Sequence, residues 1–150
     1  MALLTRNIKI TSEARCKLVG TDGDGKPLNG EAANKPMCGH FVVDHTPRGV
    51  VCGVELTNLG KHTTTGKYPL HIHMAGDAPA IQIRSNAVHS NHHRALVLHG
   101  VSNSTWADNV VFRSVGHLLL TEDGGEEGNR ILRNVLALPQ RPVPGWPSQC

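Results

Sequence analysis

The chain has 150 residues, a formal charge of +3 with its ten histidines neutral, 39% hydrophobic residues and only 3% aromatics. That length suits a single domain with a modest core, and the longest apolar runs, such as Ala95 to Leu98 and Gly116 to Leu120, are far short of the roughly 20 residues of a membrane span. Lysines and arginines are scattered with few aromatics between them, which excludes the usual nucleic-acid footprint, while ten histidines favour acidic polymers once protonated below about pH 6.5.

Met1 is followed by Ala-Leu-Leu-Thr-Arg, without the basic start and long apolar stretch of a signal peptide, so no signal is expected in this chain. Leu3 to Ile10 reads as a first strand around Asn7. The Gly- and Asp-rich stretch 20–34 reads as a polar loop insertion. Its Asp22-Gly-Asp24-Gly string resembles a calcium loop only superficially, since Lys26 occupies a ligand position. Gly39 to Asp44 resumes the strands, and the 51 residues from Asn7 to Asn58 are expected to form about two coils.

From Val54 onward an internal repeat dominates. Asn58, Asn86, Asn109 and Asn134 each end a short strand-like run and are followed by apolar residues, at spacings of 28, 23 and 25 residues. A second insertion at 60–66 accounts for the longest of these spacings. Each repeat continues with another short apolar strand: Pro69 to His73, Ala95 to His99, and Leu118 to Glu122. A period of about 23–25 residues without the Leu-x-x-Leu-x-Leu pattern of leucine-rich repeats predicts an all-β, right-handed parallel β-helix (solenoid) of about five to six coils over 1–138. The recurring Asn either stacks as an amide ladder or occupies left-handed corners. The tail 139–150 carries four prolines and is expected to leave the ladder. No capping helix is visible, so further domains or partner chains are expected to cover the helix ends.

Alignment on the Asn residues places His99 and Glu122 at the same offset of 13, with His73 at 15. Adjacent coils lie about 4.8 Å apart, so His73, His99 and Glu122 are expected to converge. Two imidazoles and a carboxylate suit acid/base chemistry, with His99 and Glu122 as catalytic candidates and His117 and Asp123 as weaker ones. The same His73, His99 and Glu122 would also suit a divalent metal with open positions. The alternative is that these residues only stabilise strands and a turn. His71 shares a strand face with His73. His89, His92 and His93 are expected to decorate a surface corner, and Asn103-Ser-Thr105 is a glycosylation sequon at another. Cys16, Cys38, Cys52 and Cys150 form no Cys-x-x-Cys pair, which excludes a zinc ribbon and leaves disulfide pairing open.

The segments Gly66 to Asp77, His99 to Asn103 with Asp108 to Val110, and Gly116 to Gly124 resemble, in order and spacing, the β-helix region of the cell migration-inducing hyaluronan-binding protein, cell surface hyaluronidase and fibrocystin-like family. The resemblance covers about 2–138 and implies an extracellular or cell-surface setting, with hyaluronan-like acidic or neutral polysaccharide as partner and, in some members, glycosidase action of the hyaluronidase type. It implies equally a non-catalytic structural or adhesive module, as in large receptor-like members. The matching positions are His71, His73, His99, His117, Glu122 and Asp123.

Overall fold

A computed structural model describes residues 7–12, 38–61 and 64–141. The expected loop at 20–34, its Asp22 and Asp24, Cys16, Cys150 and most of the Pro-rich tail lie outside the described residues. Within them the chain is all strand, corner and loop. No helix there is long and apolar enough to cross a membrane.

The first turn comprises β1 (Ile8–Thr11), β2 (Phe41–Asp44) and β3 (Arg48–Cys52), and the second β4 (Val54–Thr57), β5 (Leu70–Asp77) and β6 (Ala80–Arg84). The third is β7 (Ala87–His89), β8 (Leu96–Ser102) and β9 (Thr105–Ala107), the fourth β10 (Val110–Phe112), β11 (Leu119–Thr121) and β12 (Arg130–Leu132), and β13 (Val135–Ala137) opens a fifth. All pairings are parallel and fall into three sheets, β1-β4-β7-β10-β13, β2-β5-β8-β11 and β3-β6-β9-β12. This is a three-sided parallel β-helix. Among the described residues four complete turns are traced, and Ile8 pairs directly with Val54, so that only β2 and β3 are described between these two strands of one sheet.

Period-two alternation sends Leu70, Ile72, Leu96 and Leu98 of one sheet, Ile81, Ile83 and Trp106 of the next, and Leu56, Val88 and Val111 of the third into a single core. Asn86, Asn109 and Asn134 run up one corner of it. Asn86 Nδ2 donates to Asn109 Oδ1 at 3.0 Å, and Asn109 Nδ2 to Asn134 Oδ1 at 2.9 Å. The second amide hydrogen of each goes to a backbone carbonyl of the preceding turn, that of Val51, Ile83 or Trp106. The ladder satisfies buried amides that would otherwise be costly.

Asn58 does not belong to this column. It follows β4, whereas the ladder residues precede β7, β10 and β13, and the ladder level in its turn is held by Val54, whose N–H donates to Asn86 Oδ1. Asn58 instead begins a file of left-handed corners with Ser90, Arg113 and Leu138, all with φ between 51° and 54°. Both roles considered for Asn thus occur, in different columns. The stack also runs slightly past Leu138: Gln140 bridges Val115, with its N–H donating to the Ser114 carbonyl.

Of the 60–66 insertion, Gly66 meets the outer face of the β2-β5-β8-β11 sheet, its carbonyl 3.0 Å from His71 Nδ1. Gly60, at φ +87°, permits a close approach, since a Cβ there would lie 2.9 Å from both His93 Cβ and Pro69 Cδ. Gly60→Ala should therefore destabilise the protein by about 1–3 kcal/mol through overpacking and a strained φ. Urea unfolding midpoints will measure this.

Candidate functional site

Alternation that buries Leu70, Ile72, Leu96 and Leu98 turns His71, His73, Val97 and His99 outward. The register then aligns a row across four turns. Asp44 pairs with His73 and His73 with His99, while Leu98 opposite Thr121 sets Glu122 beside His99. The register pairs His73 directly with His99 although their offsets differ, because the extra residues of the His73 turn lie between β4 and β5. A β-bulge after His73, where Met74 and Ala75 together face Gly100, ends this row.

Although outward-facing, part of this row is buried. Tyr68 and Val97 are fully buried, His71 is 3% exposed and Arg94 3%. Tyr68 Oη donates to Glu122 Oε1 at 2.6 Å, and Arg94 Nη1 donates to Tyr68 Oη at 3.3 Å and lies 3.7 Å from Glu122 Oε1. Glu122 Oε2 stands 3.5 Å from His99 Nδ1 and 3.9 Å from His71 Nε2. The far nitrogen of His99, Nε2, lies 3.1 Å from Asp123 Oδ2. His71 Nδ1 contacts the Gly66 carbonyl at 3.0 Å. The His71 and His99 rings stack with centroids 5.8 Å apart.

His73 belongs to a neighbouring group. Its Nδ1 is 2.7 Å from Asp44 Oδ1, an oxygen that His45 Nδ1 also meets at 2.7 Å. Of the three residues expected to converge, His99 and Glu122 therefore meet through their polar atoms, and His71 takes the place of His73. His117 is exposed and lines a cavity of about 550 Å³ with Leu119, Leu136 and Gln140 near the last turn. His93 is a correction: it is buried edge-on against Tyr68, ring centroids 4.7 Å apart, instead of decorating the surface. His89 and His92 are half-buried, against Glu55 and Asn58. Asn103 lies at an exposed corner, its Nδ2 donating to Asp77 Oδ1.

Burial pushes the His71 imidazole below its ordinary value, against the opposing pull of the Gly66 carbonyl. Burial, then the bond to Glu122, pushes the Tyr68 phenol up, so it stays a neutral donor. The His73 hydrogen bond holds Asp44 below the usual carboxylate range. Near the site, burial pushes Glu126 up, but backbone N–H groups including those of Asp123 and Gly100 outweigh it and leave its carboxyl below the ordinary value. A group depressed on folding contributes stability above its unfolded pKa that is lost as pH falls through the folded one. The Glu126 carboxyl should thus titrate by carbon NMR below the usual glutamate midpoint, with the Gly100 and Asp123 amide shifts following it.

Tyr68 and Arg94 were not anticipated as site residues. Both stand two residues before a strand, at the level set by the Leu70–Leu96 pairing, and extending the aligned columns by that much would have found them. Two hollows flank the row, one of about 250 Å³ lined by Asp44, Lys67, His71 and His73, the other of about 220 Å³ lined by Ser102, Asp123 and Glu126. Among the other described features, Cys38 is disulfide-bonded and Cys52 is free and exposed.

The family model described as CEMIP beta-helix matches residues 36–149. A G8 domain-containing protein of Dictyostelium discoideum is 32% identical over 134 residues, covering 89% of this chain and 10% of its own length. The cell migration-inducing and hyaluronan-binding proteins of Mus musculus and Homo sapiens are 38% and 37% identical over 84 residues, 51% of this chain and 6% of theirs. The chain thus spans a tenth or less of these relatives. No solved structure matches it.

Proposed function

The chain belongs to the CEMIP beta-helix family, and on that premise we propose that it is the polysaccharide-binding module of a larger extracellular or cell-surface protein, taking a hyaluronan-like polymer along the outer face of the β2-β5-β8-β11 sheet. One observation carries the reading: this face holds a continuous polar row, Asp44, His73, His99 and Glu122, braced from beneath by Tyr68 and Arg94. An outer sheet face needs no buried Arg–Tyr–Glu network for folding, and such networks cost stability unless fully satisfied. Lys67 and the imidazoles offer donors to sugar hydroxyls and carboxylates, and the flanking hollows extend the row into a groove. The names of the mammalian relatives agree with this choice of polymer. The Cys38 disulfide suits an oxidising compartment.

The folded chain should retain immobilised hyaluronan, less so as salt rises, and the double substitution His73→Ala with Lys67→Ala should weaken retention about tenfold or more. Equal retention of an uncharged dextran, or no effect of the substitutions, would reject the reading.

A second reading, depolymerisation, is favoured by one detail. Glu122 Oε2 is buried without a hydrogen-bond partner, 3.5 Å from His99 Nδ1. With no ion between them, such a pair can share a proton and deliver it to a glycosidic oxygen.

A further inference from the structure

We propose that His71 Nε2, His99 Nδ1 and Glu122 Oε2 together bind a divalent transition-metal ion of the zinc type. The inference goes beyond polysaccharide recognition and stands whether or not the polymer binds.

The case starts from which atoms are already used. A carbonyl oxygen only accepts hydrogen bonds, so the contact with Gly66 places the hydrogen of His71 on Nδ1 and leaves the Nε2 lone pair free. Asp123 Oδ2 lies 3.1 Å from His99 Nε2, an ion-pair partner on the outer side of that ring, and a hydrogen on Nε2 leaves the Nδ1 lone pair facing Glu122. Tyr68 occupies Glu122 Oε1 and leaves Oε2. Each residue therefore has its outer atom fixed by a neighbour and its inner atom unspent, and the three inner atoms face one another within 4.8 Å.

Three lone pairs converging in a largely buried space repel. His71 Nε2 and Glu122 Oε2 are both buried and have no hydrogen-bond partner, with the His71 side chain only 4% exposed. A cation at the centre reverses the sign of this interaction. A tetrahedral zinc ion, with bonds of about 2.0–2.1 Å, sets neighbouring ligand atoms about 3.4 Å apart. The separations of 3.5 Å and 3.9 Å from Glu122 Oε2 need contract by only a few tenths of an ångström, and the two imidazole nitrogens, within 4.8 Å of each other, close around the ion.

The donor set is informative too. Two imidazoles and one carboxylate suit borderline metals and disfavour calcium or magnesium, which take mostly oxygen. A carboxylate or carbonyl behind each ligating imidazole, and a hydroxyl behind the ligating carboxylate, is the outer shell that orients metal ligands. Three protein ligands leave a position open on the side of His99, the most exposed of the three. Water or an anionic oxygen would complete the sphere there.

The second titratable cluster, Asp44, His45 and His73, supplies the internal control. It also groups three ligand atoms, but Asp44 Oδ1 already serves both imidazoles and the cluster is more exposed.

The test uses the chain purified without a polyhistidine tag, stripped with a chelator and titrated with cobalt(II) alone. One equivalent should bind with the intense visible absorption of tetrahedral cobalt, and zinc should displace it. His99→Ala and Glu122→Gln should abolish the band, Tyr68→Phe should weaken affinity about 10–100-fold, and Asp44→Asn should leave it unchanged. Circular dichroism identifies variants that fold, and His99→Ala, at the more exposed position, carries the test if Glu122→Gln does not. Absence of the band in folded protein, its survival in His99→Ala, or its loss in Asp44→Asn would overturn the proposal.

Discussion

Asn109→Ala is expected to destabilise the β-helix by about 3–5 kcal/mol, because at least two buried hydrogen-bonding groups lose partners at about 1–3 kcal/mol each. Asn109 is fully buried and sits in the middle of the ladder. Its Oδ1 accepts from Asn86 N at 3.1 Å and Asn86 Nδ2 at 3.0 Å, and its Nδ2 donates to the Ile83 carbonyl at 2.9 Å. Alanine supplies none of these. Asn58→Gly is the companion measurement. Asn58 has φ 54°, a conformation glycine adopts freely, and its side chain bonds Ser12 and His92 at a part-buried corner. Its replacement should cost about 1 kcal/mol. Urea unfolding of the two variants side by side separates a ladder residue from a corner residue. Equal losses would mean that the amide stack contributes nothing beyond corner geometry.

Glu122→Gln, made in the complete protein, should lower hyaluronan depolymerisation by about 10²–10⁴-fold if the His99–Glu122 pair transfers the proton. The substitution keeps the size of the side chain and an oxygen for the Tyr68 hydroxyl. Binding to immobilised polymer should therefore survive even as cleavage is lost. A non-catalytic module predicts the opposite pattern: no cleavage to lose, and at most a shift in melting temperature from the weakened contact with Arg94, which lies 3.7 Å from Glu122. Size-exclusion chromatography of the polymer after incubation gives the first quantity and thermal unfolding the second. A variant that still cleaves at the parent rate removes Glu122 from the chemistry.

The two experiments probe different levels of one design. The ladder fixes the height of each turn, and that height places His99 against His73 and Glu122 against His99. A change in the ladder should thus disturb the site indirectly, whereas a change at Glu122 leaves the ladder intact. The bulge between His73 and Gly76 marks where the two levels meet. Gly100, opposite the bulge and beside His99, has φ +61°, a conformation that favours glycine.

By itself the sequence determined the fold and the approach of His99 to Glu122. In a parallel coil the spacing between turns is constant, so residues at equal offsets from a repeated Asn become neighbours, and arithmetic along the chain becomes distance in space. Asn86, Asn109 and Asn134 obeyed that rule. Tertiary structure decided what does not repeat. Pairing of Ile8 with Val54 set the first described strand against the fourth, and it took the strand register to move Asn58 out of the ladder. Tertiary packing also buried some of the outer-face side chains and brought Tyr68 and Arg94 onto Glu122. The choice of His71 over His73 was likewise tertiary: the two rings share one strand face, but Asp44 holds His73 while the Gly66 carbonyl turns His71 Nε2 towards Glu122. Period two gives the side of the sheet on which a ring lies, and only its neighbours fix the direction in which its nitrogens point.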